Sequence, residues 1–314
     1  MADVASPLTG EKILVTGLTG QVARPIALAL ARDNEVWGAA RFRSRRTRAA
    51  LEDAGVRCVA VDLEEGDLSA IPDDVTVLLN FAVAHTQDWD RDLALNAEAA
   101  GLLMAHCRGA RAMLHCSSTG VYAPAGEHLL VETDPLGDSH ASIGLVTYSI
   151  TKIAAEAVVR QAARAFGLPT TIARLNVPYG DDLGWPAMHL EMMLAGQPVD
   201  LRTEDPCCYT PIHVDDLVAQ LPALLDAASV PATVVNWAGS EVVSVEEWCR
   251  WFGELTGVEP TFTRTDAALP GVAADTTKLA GIAGTNAIGW RDGFRRMVAT
   301  MHPERLAAAP EPAG

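Results

Sequence analysis

Over the first two-thirds of the chain the apolar residues alternate between two textures. Short aliphatic and β-branched runs occur at KILVTG (12–17), EVWGAA (35–40), VRCVAV (56–61), VTVLLNFA (75–82), AMLHCSS (112–118) and PTTIARLNV (169–177). Each is the length of a strand, and several are apolar at consecutive positions, the pattern of a strand covered on both faces. Between them lie longer stretches with apolar residues three and four apart: QVARPIALALAR (21–32), DLALNAEAAGLLMAHC (92–107) and TYSITKIAAEAVVRQAARAFG (147–167). Strand, helix, strand in this order predicts βαβ units and a parallel sheet flanked by helices.

After about Tyr179 the rhythm becomes irregular. Residues 180–213 are rich in Pro, Gly, Met and Trp. A helix is expected at DDLVAQLPALLDAA (215–228), a strand at TVVNWA (233–238) and another helix at SVEEWCRWFGELTG (244–257). The expected architecture is an α/β, Rossmann-type, doubly wound parallel sheet with a smaller interleaved C-terminal substrate lobe. A first domain is expected over 10–178, with 211–238 returning to it. The lobe takes 179–210 and 239–304, and 305–314 reads as a flexible tail.

Composition narrows the classes. In 314 residues, 49% hydrophobic and 20% charged, there is enough material for a large core. With 40 acidic and 24 basic residues the net charge is −16, which argues against nucleic acid as a partner. The six cysteines show no metal-ligand spacing and read as reduced thiols, so no metal is expected. No signal peptide or spanning segment is evident, and a cytoplasmic protein with no membrane partner is expected.

Gly17 and Gly20 lie between the first strand and first helix, with Ala23 three residues on. A tight turn at Gly17, close backbone approach at Gly20 and a small residue where helix meets sheet suit a dinucleotide pyrophosphate at a helix N-terminus. An ordinary glycine turn has the same letters. Tyr148 and Lys152 are four apart on a helix and share a face. A lysine ammonium beside a phenol lowers its pKa from about 10 and lets it exchange a proton with a carbonyl oxygen. A surface Tyr/Lys pair is the plainer reading. Ser117 and Ser118 end the fifth run, at the sheet edge where α/β folds bind ligands, or simply cap that strand.

Taken in order, the glycine loop, the Ser118 strand with Val121–Tyr122, and Tyr148-x-x-x-Lys152 resemble the extended short-chain dehydrogenase/reductases, the group called the NAD-dependent epimerase/dehydratase family. The resemblance covers about residues 11–300. It includes NFAVA (80–84), LNAEAAGLL (95–103), ETDPLG (132–137), ARLNVPYG (173–180), PIHVDDL (211–217) and AADTTKLAGIAG (273–284). It implies Tyr148 as proton donor or acceptor, Lys152 as the group that lowers its pKa and holds the nicotinamide ribose, Ser118 on the substrate oxygen, and Asn96 in a proton relay with the lysine. It implies a cofactor site of Gly17, Leu18, Thr19, Gly20, Gln21, Val22, Arg41, Arg43, Asp62, Leu63, Phe81, Ala82, Val83, Ser117, Tyr148, Lys152, Asn176 and Val177. His85, Thr119, Trp185, His189 and Tyr209 are the expected substrate contacts. For His189 and its neighbours the plainer reading is lobe core, and for His85 a surface histidine.

Three departures from the family pattern shape the expected chemistry. Ser118 is followed by Thr119–Gly120, where sugar 4,6-dehydratases carry Asp-Glu as acid and base. Tyr209 stands four residues before His213, where nucleotide-sugar enzymes usually carry a diphosphate-gripping arginine, although Arg202 is nearby. The second strand ends in Ala40–Arg41 instead of the carboxylate that holds an NAD ribose, and Arg43, Arg45, Arg46 and Arg48 follow. A guanidinium there suits the 2′-phosphate of NADP. The expectation is an NAD(P)-dependent oxidoreductase acting on a hydroxyl or carbonyl of a small organic molecule, with NADP(H) favoured over NAD(H). The alternatives are a nucleotide-sugar epimerase with tightly bound NAD, or a non-catalytic NADP-binding redox sensor. A homodimer is expected through the helices at about 88–107 and 148–166, whose small apolar residues permit close packing.

Overall fold

A computed structural model describes residues 8–203 and 207–306. The end of the expected tail, 307–314, lies outside the described residues. Seven strands build the central sheet: β1 (Lys12–Thr16), β2 (Glu35–Ala40), β3 (Arg57–Ala60), β4 (Val77–Asn80), β5 (Ala112–Ser118), β6 (Thr170–Leu175) and β7 (Thr233–Trp237). Their order is β7-β6-β5-β4-β1-β2-β3, all parallel. The order reverses between β1 and β4, which opens a crevice at the C-terminal ends of those strands.

The faces of the sheet follow from the period of two along each strand. On β1, Ile13 and Val15 join one core layer and Leu14 the other. The first layer is completed by Ile26 and Leu30 of helix α1 (Ala23–Leu30) and by Leu217, Leu221 and Leu224 of a later helix. The second is completed by Leu103, Met104 and Val159. Strands buried on both sides are why the sequence shows near-continuous apolar runs there.

Helix α2 (Arg45–Asp53) follows β2, so the arginine run is split between a short loop and a helical first turn. Ser44 caps it by accepting from Thr47 N–H at 3.2 Å. The expected continuous helix at 92–107 is interrupted: α3 (Trp89–Leu93) passes through a π turn at Ala94–Glu98 into α4 (Ala99–His106). Its apolar periodicity continues across the π turn, so the pattern alone does not reveal the break. Helix α5 (Tyr148–Phe166) runs uninterrupted beside α4.

The segment read as irregular contains α6 (Trp185–Leu194), which starts with Pro186 in its first turn. Helix α7 (Val214–Asp226) returns to the sheet and leads to β7. Helix α8 (Val245–Thr256) starts with a capping box between Ser244 and Glu247. Helices α9 (Thr277–Ala283) and α10 (Trp290–Met301) follow. Leu190, Met193, Trp248, Phe252, Phe294 and Met297 from α6, α8 and α10 form a third core beyond the sheet's crevice.

Candidate active site

The turn after β1 is forced by a close approach. Gly17 has φ +69°, and a Cβ there would lie 2.8 Å from backbone atoms of Phe81 and Ala82. Only glycine accepts both the dihedral and the contact. Gly20 N–H donates to the Gly17 carbonyl at 2.8 Å and closes the loop onto α1. Two cavities share these walls. One, of about 520 Å³, is lined by Gly17, Gly20, Gln21, Val22, Phe81 and Val83 on this side. The other, of about 190 Å³, is lined by Thr19, Ala40, Arg41, Asp62, Leu63 and Ala82, together with the shared glycines. An elongated ligand crossing Gly17 and Gly20 would occupy both, and this cradle fits a dinucleotide.

Not every expected cofactor residue presents its side chain there. Leu18 is fully buried and fills the space above Gly38, so its place is the core. Arg43 is exposed and lines neither cavity. Arg48 is bound to Glu52 at 2.8 Å and packs over the Phe42 ring, which explains it structurally. Ser117 lines the larger cavity, but its hydroxyl proton is taken by Glu156, to which it donates at 2.6 Å.

The floor of the larger cavity carries Ser118, Tyr148 and Lys152. The Ser118 hydroxyl is a polar neighbour of the Tyr148 phenol. Burial raises the Tyr148 pKa, and the nearby Ser118 hydroxyl only partly offsets this. The expected lowering by Lys152 is not seen in the protein alone. The ammonium donates to the Cys116 carbonyl at 2.8 Å, and burial lowers its own pKa against the opposing pull of Cys116 and Glu156. The phenol is therefore held in its protonated, donor form.

Asn96 sits in the π turn and does not contact Lys152 through any hydrogen bond. Its side-chain oxygen accepts from Ala84 N–H at 2.7 Å, and its amide donates to the Ala84 carbonyl at 2.8 Å and to Thr151 at 2.9 Å. It ties the 81–84 loop, a wall of both cavities, to helix α5. The wider π turn supplies the rotation that aims it there.

At the other end of the cleft, Asn176 donates to Thr119 and to the Val272 carbonyl, each at 2.7 Å, and Val177 adopts φ +31°. A β-branched residue in that region is held by its surroundings, here by Ile212 N–H on its carbonyl. Trp185 and Tyr209 meet edge to face at 5.1 Å and close the cleft. The Tyr209 hydroxyl donates to the Pro270 carbonyl at 2.9 Å. Among the described residues, the lining of this cavity holds one cation, Lys152, and no arginine or carboxylate. Arg202 is engaged with the carbonyls of Asp266 and Ala268, behind the loop that carries Leu269 and Pro270.

Two expected substrate contacts fall elsewhere. His189 is buried in the lobe core and accepts from Trp248 Nε1 at 3.0 Å, and burial lowers its pKa to about 4. One helical turn separates it from Trp185, and the two rings pack at 4.9 Å, with Trp185 next to the cleft. His85 is exposed and lines neither cavity.

The family model described as NAD dependent epimerase/dehydratase matches residues 13–237. The chain belongs to that family. Its fold is shared with UDP-glucuronic acid 4-epimerase from Bacillus cereus in complex with UDP-glucuronic acid and NAD. That match has TM-score 0.77 and 19% identity, covering 91% of this chain and 97% of the other. MoeE5 in complex with UDP-glucose and NAD is similar at TM-score 0.78 and 22% identity, over 93% and 99% of the two chains. UDP-N-acetylglucosamine 4-epimerase from Methanobrevibacter ruminantium is similar at TM-score 0.80 and 16% identity, over 95% and 100%. No curated protein matches the chain in sequence.

Several groups that build this epimerase/dehydratase-family site carry no signal in the sequence. Asp92 is fully buried and accepts from Thr86 N–H at 2.9 Å, Gln87 N–H at 3.1 Å and the hydroxyl of Thr147, next to Tyr148, at 2.6 Å. Burial pushes its carboxyl up, but these bonds outweigh it and hold it below the usual range. Glu156 pairs with Arg174 through two bonds of 2.9 and 2.8 Å directly behind Ser117. His140, from the connection ahead of α5, lines the cleft with its ring 4.8 Å from that of Tyr148. Its partners in each case are remote in sequence or lie on irregular backbone, where periodicity is silent.

Proposed function

We propose that this protein is a nicotinamide-dependent oxidoreductase acting on the hydroxyl or carbonyl of a small, partly apolar organic molecule, with NADP(H) as its cofactor. What carries this reading is the pairing of a Ser118–Tyr148–Lys152 floor with a cleft whose lining, among the described residues, offers no arginine to a diphosphate. In the reducing direction Ser118 and Tyr148 hold the carbonyl oxygen, and Tyr148 gives it the phenolic proton. Lys152, released from the Cys116 carbonyl, stabilises the phenolate left behind. In oxidation the same proton travels back to Tyr148. When bound, the nicotinamide supplies the hydride acceptor or donor. Trp185, Tyr209 and Pro270 shield the reacting carbon from water.

The NADP assignment rests on Arg41 in the smaller cavity and on the absence of a carboxylate at the end of β2. We assign 10–178 with 211–238 as the dinucleotide-binding domain and 179–210 with 239–304 as the substrate lobe. A cytoplasmic homodimer belongs to the same proposal. Leu102 of α4 and Ile150 and Phe166 of α5 are exposed apolar residues on the two helices that would pack, and light scattering reports the mass.

The test is a panel of aldehydes, ketones and alcohols with NADPH, NADH or their oxidised forms, followed by nicotinamide absorbance. Tyr148→Phe should lower kcat/KM by about 10²- to 10⁴-fold. Undiminished turnover in that variant would refute the mechanism. The nucleotide-sugar ligands and NAD named for the similar structures favour a second reading, an epimerase that retains NAD. Its signature is a rise in Tm with UDP-sugars and no net redox change.

A further inference from the structure

His140 has a geometry that a packing role alone does not require. Ser139 donates its hydroxyl proton to the Gly120 carbonyl at 2.9 Å. A serine has one proton to give, so its 2.9 Å bond to His140 Nδ1 runs the other way, with Nδ1–H as donor. Ser149 Oγ lies 3.3 Å from the same nitrogen. The ring is thereby fixed in the tautomer whose lone pair sits on Nε2. The side-chain hydrogen bonds of His140 to described residues all fall on Nδ1, and the ring lines the cleft.

The position of the ring is set by Gly120. A Cβ on Gly120 would lie 2.4 Å from His140 Cε1 and 3.2 Å from Ser118 Oγ. The imidazole therefore fills the space that any other residue at 120 would occupy. The same point lies 3.2 Å from Ser118 Oγ, so the ring and that hydroxyl flank Gly120. Burial keeps it neutral, lowering its pKa to about 4 against the weaker opposing effect of Asp138. A neutral nitrogen with a lone pair accepts from a hydroxyl and offers nothing to a carbonyl or carboxylate oxygen.

We propose that His140 reads the carbon next to the reacting one, accepting a hydrogen bond from its hydroxyl through Nε2, so that the substrates are α-hydroxy carbonyl compounds and the vicinal diols they interconvert with. The inference rests on the oxidoreductase reading above. With Ser118 and Tyr148 on the carbonyl oxygen, one carbon–carbon bond brings the neighbouring substituent to the imidazole. The hydroxyl is bound in both oxidation states, so it orients the substrate without joining the proton transfer.

The experiment compares matched pairs, such as 2-hydroxycyclohexanone and cyclohexanone, with NADPH and NADH. The enzyme should prefer the hydroxylated member by about tenfold or more in kcat/KM, the value of one good hydrogen bond left unmade in its absence. In His140→Phe that ratio should fall towards one. Gly120→Ala, which displaces the imidazole while leaving it in the chain, should do the same, and His140→Gln should restore part of it. A purely structural His140 would lower both members equally and leave the ratio in place. That result, or no preference in the unaltered enzyme, would overturn the role of His140 while sparing the oxidoreductase reading. No turnover of any pair with either cofactor would overturn both.

Discussion

Replacing Glu156 by glutamine tests whether the buried ion pair behind β5 holds the proposed Ser118–Tyr148–Lys152 floor in place. Glu156 is fully buried; its carboxylate accepts from Arg174 Nε at 2.9 Å and Nη2 at 2.8 Å, from Ser117 Oγ at 2.6 Å and from Arg160 Nη1 at 3.1 Å. Arg174, 3% exposed, stacks over the Tyr122 ring at 4.7 Å. Glutamine keeps the shape but removes the charge and points an amide donor at a guanidinium. Leaving a buried cation unpaired costs about 3–5 kcal/mol, a large share of a typical total of about 5–15 kcal/mol. With m near 3 kcal/mol per M, the urea midpoint should fall by about 1–1.7 M. Ser117 also loses its anchor one residue before Ser118, so kcat should fall more than KM rises. Adding Arg174→Met should recover part of the lost stability, because no lone charge then remains buried. A loss under about 1 kcal/mol in the single variant, or a double variant that loses the sum of both singles, would show that the pair is not coupled as described.

Arg41→Asp should raise the Kd for NADP⁺ by about 10- to 100-fold, the value of a lost charge-assisted contact plus new repulsion, and that for NAD⁺ far less; fluorescence titration of both cofactors decides it. Gly17→Ala should weaken binding of either cofactor by at least about tenfold and cost roughly 1–3 kcal/mol of stability, because φ +69° and the 2.8 Å backbone contacts both resist a Cβ. Asp92 contributes to the acid limb. Its native pKa lies below the unfolded value of about 3.9, so its stabilisation is complete above that pH and is lost as pH falls through the native value. Urea midpoints measured on lowering the pH should therefore fall less steeply in Asp92→Asn than in the unaltered protein.

The features legible along the chain are those that depend on short spacings. The two-residue alternation in β1 sorts Ile13 and Val15 from Leu14, and the pleat alone enforces that division. The glycine turn is a local constraint on φ, and Tyr148 and Lys152 share a face because a helix repeats every 3.6 residues. The family resemblance adds these local patterns together, in order along one chain. Helix α6 shows where such reasoning ends. Trp185 and His189 occupy adjacent turns and are equal candidates by spacing. Trp248, from α8, takes His189 into the lobe core and leaves Trp185 at the cleft. The π turn at Asn96 is hidden for a related reason, since apolar periodicity continues across it while its purpose is a bond to Thr151, 55 residues away. Asp92 on Thr147 and Glu156 on Arg174 are likewise pairings across the fold. His140 lies on irregular backbone, and only the missing side chain at Gly120 makes room for it. Local chemistry selects the strands, the turn and the proposed proton donor. The tertiary structure decides which polar groups face the cleft, because burial and partnership are properties of what packs against a residue and not of its neighbours in the chain.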